Sequence, residues 1–265
     1  MPFQIQQPTT KKYKQVTLAG YTEEAGVTEI TVPEEIKALG NECFFDCRQI
    51  VSVILPEGLT EIPYRAFKNC ISLNRIRIPE TVISIGEGAF SGCESLKELA
   101  LPPNLETIGS YAFYGSERLM RFRLADGVFR VRMNDIYQNQ YDTSLLKKFF
   151  CEKNPEQQRK IFSQTEDAKY KSAMAYYLLH SGQADDEIRK YAKRNITKTA
   201  KFYMDNQETE GLQELCTTGF VTKSNIGKLL EYAIANSCHE SYLLLLEYKD
   251  KHIGYQNPAD KLKLA

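Results

Sequence analysis

A step of 23 residues governs the first half of this chain. Advancing by that step through Ile85 links Val16, Leu39, Ile62, Ile85, Ile108 and Val131. The same step aligns an aromatic column, Tyr21, Phe44, Phe67, Phe90 and Phe113. Two further apolar columns are Ile30, Val53, Ile76, Leu99, Phe122 and Val32, Leu55, Ile78, Leu101, Leu124. Proline follows the second of these at Pro33, Pro56, Pro79 and Pro102, and Ile36, Leu59, Val82, Leu105 and Val128 complete the set. No such unit can bury its own apolar face, so the units must stack, and a solenoid follows.

Within a unit, Leu96-Lys-Glu-Leu-Ala-Leu-Pro alternates apolar and polar residues as a half-buried strand does. Pro102 ends that strand by removing a ladder donor. Leu105 and Ile108 make a second short apolar segment. Gly86 is expected to permit a tight turn, and Ala89, Phe90 and Cys93 have the spacing of a helical turn. Five units at ~4.8 Å per strand would make a parallel sheet roughly 20–25 Å wide.

The motif carried by Gly86, Ala89, Phe90, Cys93, Leu96, Leu99, Leu101, Pro102 and Leu105 resembles the Treponema-type, or BspA-like, class of bacterial leucine-rich repeats. That resemblance implies a right-handed coil of short strands and a role in protein interaction or adhesion. Glu24 and Ser116 replace the column cysteine and Ala125 replaces the proline, which are expected to be capping departures.

Residues 1–15 are polar and carry Lys11, Lys12 and Lys14; they read as an arm or cap over the first unit, or as a basic docking tail. The solenoid is placed at 16–132, and a polar, aperiodic junction follows to residue 142. From 143 to 265 the apolar period becomes helical, beginning with Leu145–Phe149 and Leu146–Phe150 as i, i+4 pairs. Helices are expected over Tyr170–His180, from Asp185 through Ala192, and over Lys198–Asn206, Glu208–Thr217, Asn225–Asn236 and His239–Lys251. A weaker echo at a step of 41 pairs Ile188, Tyr191, Ala192, Tyr203 and Met204 with Leu229, Tyr232, Ala233, Leu244 and Leu245. The segment from Leu230 to Lys249 is similar to the helix-turn-helix of an ankyrin repeat, without its glycine-rich turn or usual hairpin motif. Generic stacked helices are the alternative. The expected class is therefore α+β in two domains, a leucine-rich repeat solenoid followed by an all-α array of helical hairpins.

Lys plus Arg and Asp plus Glu number 34 each, and the balance holds on both sides of residue 132. No global field favours nucleic acid or an acidic membrane surface. No run of about 18 apolar residues could span a membrane. Met1 to Lys12 lacks the apolar core of a signal peptide, and seven cysteines without framework spacing fit reduced thiols. A cytoplasmic setting is expected; a surface setting would need a leader or anchor beyond the sequence given.

Catalytic chemistry does not stand out. Gly86-x-Gly88 lacks the Lys-Ser/Thr of a phosphate loop. Cys47, Cys70 and Cys93 spread along a column, whereas zinc needs four ligands converging on one point. His180, His239 and His252 have no acid or nucleophile at a meaningful spacing, and Asn195-Ile-Thr197 is a sequon inside a helical hairpin. The expectation is no enzyme, no metal and no cofactor. Tyr64, Tyr111 and Tyr114 fall at non-core repeat positions. The outward strand columns, Glu29, Ser52, Arg75, Glu98, Arg121 and Thr31, Ile54, Arg77, Ala100, Arg123, offer two readings. In one, Glu98 bridges Arg75 and Arg121 on a solvated face. In the other, Arg75, Arg77, Glu98, Ala100, Arg121 and Arg123 form a protein-binding surface for acidic or phosphorylated segments. A non-catalytic scaffold that binds a protein, a second copy of the chain among the candidates, is the leading expectation. Adhesion to a host or matrix component is the alternative, and an enzyme with a site at the domain junction is a distant third.

Overall fold

The computed structural model describes residues 2–8, 15–116, 119–124, 127–132, 148–166 and 168–254. Lys11, Lys12, Lys14, Ala125, Leu145, Leu146 and the junction beyond Arg132 lie outside these. The chain forms two compact units, Met1–Tyr177 and Leu178–Ala265.

The first unit opens with β1 (Phe3–Gln6), antiparallel to β2 (Thr17–Tyr21), so an added strand covers the first coil. In β2, Leu18 rather than Val16 pairs with Leu39 and is fully buried; the 23-residue step slips here because β2 belongs to the cap. Four coils follow. Each has a three-residue strand: β3 (Glu29–Thr31), then β5 (Ser52–Ile54), β7 (Arg75–Arg77) and β9 (Glu98–Ala100). Each also has a two-residue strand: β4 (Ala38–Leu39), β6 (Glu61–Ile62), β8 (Ser84–Ile85) and β10 (Thr107–Ile108). Pairing within each strip is parallel, with register shifts of one whole repeat.

The third side of each coil is a ladder of turns, not the expected helical turn. The N–H groups of Glu42, Phe44 and Asp46 donate to the carbonyls of Tyr64, Ala66 and Lys68 in the next coil, and the pattern repeats twice, at 2.6–3.0 Å. The intervening N–H groups donate three residues back within their own coil. Two columns of left-handed residues make this alternation: Glu42, Arg65, Gly88, Tyr111 at φ 51–61° and Asp46, Asn69, Gly92, Gly115 at φ 59–76°. A left-handed residue in every fourth position prevents an α-helix from propagating.

The core is a stack of rings. Phe44–Phe67, Phe67–Phe90 and Phe90–Phe113 lie 5.0, 5.4 and 5.8 Å apart and within 8° of parallel. The fifth coil does not form. In its place, β11 (Leu119–Leu124) pairs in parallel with β9 and antiparallel with β12 (Gly127–Arg132). Val128 and Val131 thus leave their columns for the hairpin, opposite Arg123 and Met120. Phe122 and Phe129 turn inward against Phe149 and Phe150 from a helical turn at residues 148–151, closing the stack with tilted and edge-on contacts of 4.9–5.6 Å. Next come α1 (Pro155–Gln164), capped by the Asn154 carboxamide at the Glu156 N–H, and α2 (Ala168–His180), in which the unit boundary falls.

The second unit contains α3 (Asp186–Asp205), α4 (Thr209–Thr217), α5 (Ile226–Ala235) and α6 (His239–Tyr248). One 20-residue helix replaces the two segments expected between Asp185 and Asn206. Helix α3 packs on α4 and α5 on α6, while α3 also meets α5 and α4 meets α6. Successive hairpins are therefore stacked. Their step is 30, not 41: Ile196, Thr199, Ala200 and Tyr203 are buried as are Ile226, Leu229, Leu230 and Ala233. The turns match at the same step, with Gln207 and Ser237 both at φ 55° and the Asn206 and Asn236 carboxamides donating four residues back. The step of 41 fails because Tyr203 and Met204 share a helix with Ile188, whereas Leu244 and Leu245 lie one helix beyond Leu229.

Candidate protein-binding surface

Pairing fixes which way each strand residue faces. Ile30, Val53, Ile76, Leu99 and Phe122 are buried, so their neighbours on both sides must point outward. The outward columns run Glu29, Ser52, Arg75 and Thr31, Ile54, Arg77 across β3, β5 and β7. They resume as Glu98, Arg121 and Ala100, Arg123 across β9 and β11. Between β7 and β9, which are neighbours, no ladder pairing joins the strands among the described residues. The loosening shows beneath: Ile76 and Ile78 are 8% and 9% exposed, against 1% for Val53 and Leu99.

This break divides the six candidate residues. On one side, Glu98 accepts from both Arg121, at 3.4 Å, and Arg123, whose Nη2 lies 3.3 Å from Oε2 and whose Nε is closer still. Glu98 therefore clamps the two arginines of β11 and does not bridge Arg75, as one reading of the sequence had it. The shared carboxylate holds both guanidiniums in place, although the trio keeps one net positive charge. On the other side, Arg75 is exposed and has no ion pair among the described residues. Arg77 reaches only Glu57, at 3.5 Å, with both side chains more than half exposed, a pairing worth well under about 1 kcal/mol. Ile54, 43% exposed, sits beside Arg77 in register. The open part of the surface is thus Arg75, Arg77 and Ile54, with Glu57 at its rim. Ile54 stood in the outward column of the sequence reading but was not named as a site residue, because that reading looked for charge. Ala100 is exposed and contributes only a flat step.

The other singled-out residues are explained by stacking. Gly86 and Gly109 are needed for close approach rather than for a left-handed turn. A Cβ on Gly86 would lie 2.7 Å from the Pro63 carbonyl carbon, and one on Gly109 2.2 Å from the Glu87 nitrogen. The Cys70 and Cys93 thiols each donate to the carbonyl 26 residues back, Phe44 and Phe67, at 3.1 Å. Ser116 makes the same bond to Phe90 at 3.3 Å, so this departure keeps the column's chemistry. Burial pushes the Cys43, Cys47 and Cys93 thiols up to about 12 and Cys70 higher, so they stay protonated and poor as metal ligands. Among the described residues no three His, Cys, Asp or Glu side chains gather as a metal site, and no helix is long and apolar enough to cross a membrane. His180 contacts Glu214 at 3.8 Å, and His252 lies against the Tyr248 ring.

The sequence of residues 21–144 matches the BspA type leucine rich repeat region in six copies. That segment is a BspA-type leucine-rich repeat region. Among solved structures, a leucine-rich repeat protein from Bacteroides capillosus is 25% identical over 46% of this chain and 94% of its own, with a TM-score of 0.41. The T. pallidum leucine-rich repeat protein TpLRR is 25% identical over 43% of this chain and 64% of its own, at 0.34. The pneumococcal vaccine antigen PcpA is 28% identical over 42% of this chain and 27% of its own, at 0.39. No curated protein shows significant similarity to this chain. The BspA-type region points to protein interaction or adhesion as the class of function.

Proposed function

We propose that the chain is a protein-interaction module whose strand face grips an acidic or phosphorylated segment of a partner through Arg75 and Arg77, with Ile54 as an apolar contact. The observation that carries this reading is the asymmetry of the arginines. Arg121 and Arg123 are held by Glu98, whereas Arg75 and Arg77 stand exposed beside an exposed isoleucine. Arg75 and Arg77 stand two residues apart on the outward face of one strand, β7, and each guanidinium can bind a carboxylate or phosphate in bidentate fashion. Such a contact is salt-sensitive because the groups are solvated.

The helical unit supports the same class of role. We read it as ankyrin-like hairpins, on the 30-residue step and on the stacking of α3 with α5 and α4 with α6; it would present a second surface.

Fluorescence anisotropy with labelled nonapeptides tests the reading. A glutamate-rich or phosphoserine-containing peptide should bind more tightly than its glutamine or serine counterpart, with an affinity that falls as salt rises. Equal, salt-independent binding of charged and neutral peptides would refute it.

A further inference from the structure

A second candidate site lies on the turn ladder, away from the strand face. The left-handed columns and the residues between them vary from coil to coil. The second coil carries Arg65, Lys68 and Asn69, the third Gly88, Ser91 and Gly92, and the fourth Tyr111 and Tyr114. Small residues in the third coil open a groove of about 480 Å³ between a polar wall and a tyrosine wall. The two tyrosines are 48% and 41% exposed and stand edge-to-face, with centroids 5.9 Å apart. Tyr111 holds φ +56°, where the preceding coil uses glycine. The turn ladder sets that conformation, which Glu42 and Arg65 also hold in their coils, and at Tyr111 it carries a bulky side chain to the groove wall at some backbone strain.

We infer that this groove binds the pyranose ring of a neutral glycan. The chemistry of its walls selects among ligands. An extended peptide would find no open edge, because the alternate N–H groups of the second and third coils already donate to the next coil. A polyproline segment presents carbonyl acceptors and lacks N–H groups. Here the polar groups include the carboxylates of Glu87 and Glu94, which only accept and have no hydrogen bond or ion pair among the described residues. Anions are disfavoured as well. Arg65 is committed to Glu42, at 3.5 Å, and to the Tyr64 ring, at 4.6 Å, and Lys68 is outweighed by the two glutamates. A sugar ring supplies what remains: hydroxyl donors for Glu87 and Glu94, hydroxyl acceptors for Lys68 and Asn69, and an apolar C–H face for a tyrosine ring. This site is independent of Arg75 and Arg77.

Titration calorimetry of the full chain with mannotriose, xylotriose, cellotriose and chitotriose tests it. At least one trisaccharide should bind with a Kd of about 1 mM or tighter. Tyr111→Gly should abolish that binding while raising the melting temperature, since glycine relieves the backbone. Tyr114→Ala and Glu87→Gln should each weaken binding at least fivefold, and Arg75→Ser/Arg77→Ser should leave it unchanged. The inference is overturned if no trisaccharide binds at about 10 mM, tenfold above that Kd, if binding survives Tyr111→Gly, or if a proline-rich or phosphoserine peptide occupies the groove instead.

Discussion

Single atoms decide much of this fold. The Cβ of an alanine at position 109 would sit 2.2 Å from the Glu87 nitrogen and 2.3 Å from the Gly86 carbonyl carbon. Those are backbone atoms of the preceding coil and cannot swing aside, so Gly109→Ala should cost more than about 2 kcal/mol, read as a lower urea midpoint with unchanged slope. Gln207 gives the opposite case. It holds φ +55° just beyond a helix end and is exposed. Gln207→Gly should stabilise the helical unit by roughly 0.5–1 kcal/mol, visible as a raised melting temperature. The repeat arithmetic singled out Gly86, one step before Gly109, as permitting a tight turn, since spacing alone does not separate a tight turn from a close approach. It also missed Gln207, because glutamine carries no signature of positive φ.

Ladders and caps set stability at the level of elements. The thiol column stabilises only while protonated. In the unfolded chain a thiol ionises near 9, whereas burial holds Cys43, Cys47 and Cys93 to about 12. The folded pKa is raised, so the contribution is complete below pH 9 and is lost as pH climbs from 9 toward 12. Thermal melts should show stability falling across that window, and a Cys47→Ser/Cys70→Ser/Cys93→Ser variant should fall less steeply, since Ser116 already shows that a hydroxyl can make the bond. At the far end of the stack, Phe129 is fully buried among Phe149, Phe150 and Tyr177. Phe129→Ala should cost about 3–5 kcal/mol and expose the last coil, detectable as loss of two-state unfolding of the first unit. The strands, their register and the ring stack were legible in the 23-residue columns. The hairpin cap was not, because Phe122 and Val128 keep the repeat spacing and nothing local says that β12 reverses direction. The turn ladder was hidden for a related reason: Ala89, Phe90 and Cys93 have helical spacing, and only the φ values of their neighbours exclude a helix.

For the molecule as a whole, composition and function part company. Equal numbers of basic and acidic residues leave no net field, so recognition must come from local arrangement. All six candidate residues were visible as outward positions in the repeat. What sequence could not show is that Glu98 reaches across to β11, holding one pair of arginines in place and leaving the other pair open. That asymmetry is the central claim, and two double variants test it directly. Binding of a phosphoserine peptide would be measured for Arg75→Ser/Arg77→Ser and for Arg121→Ser/Arg123→Ser at matched salt. The expected result is at least a tenfold loss for the first pair and less than a twofold change for the second; equal losses, or a larger loss for the second pair, would contradict it.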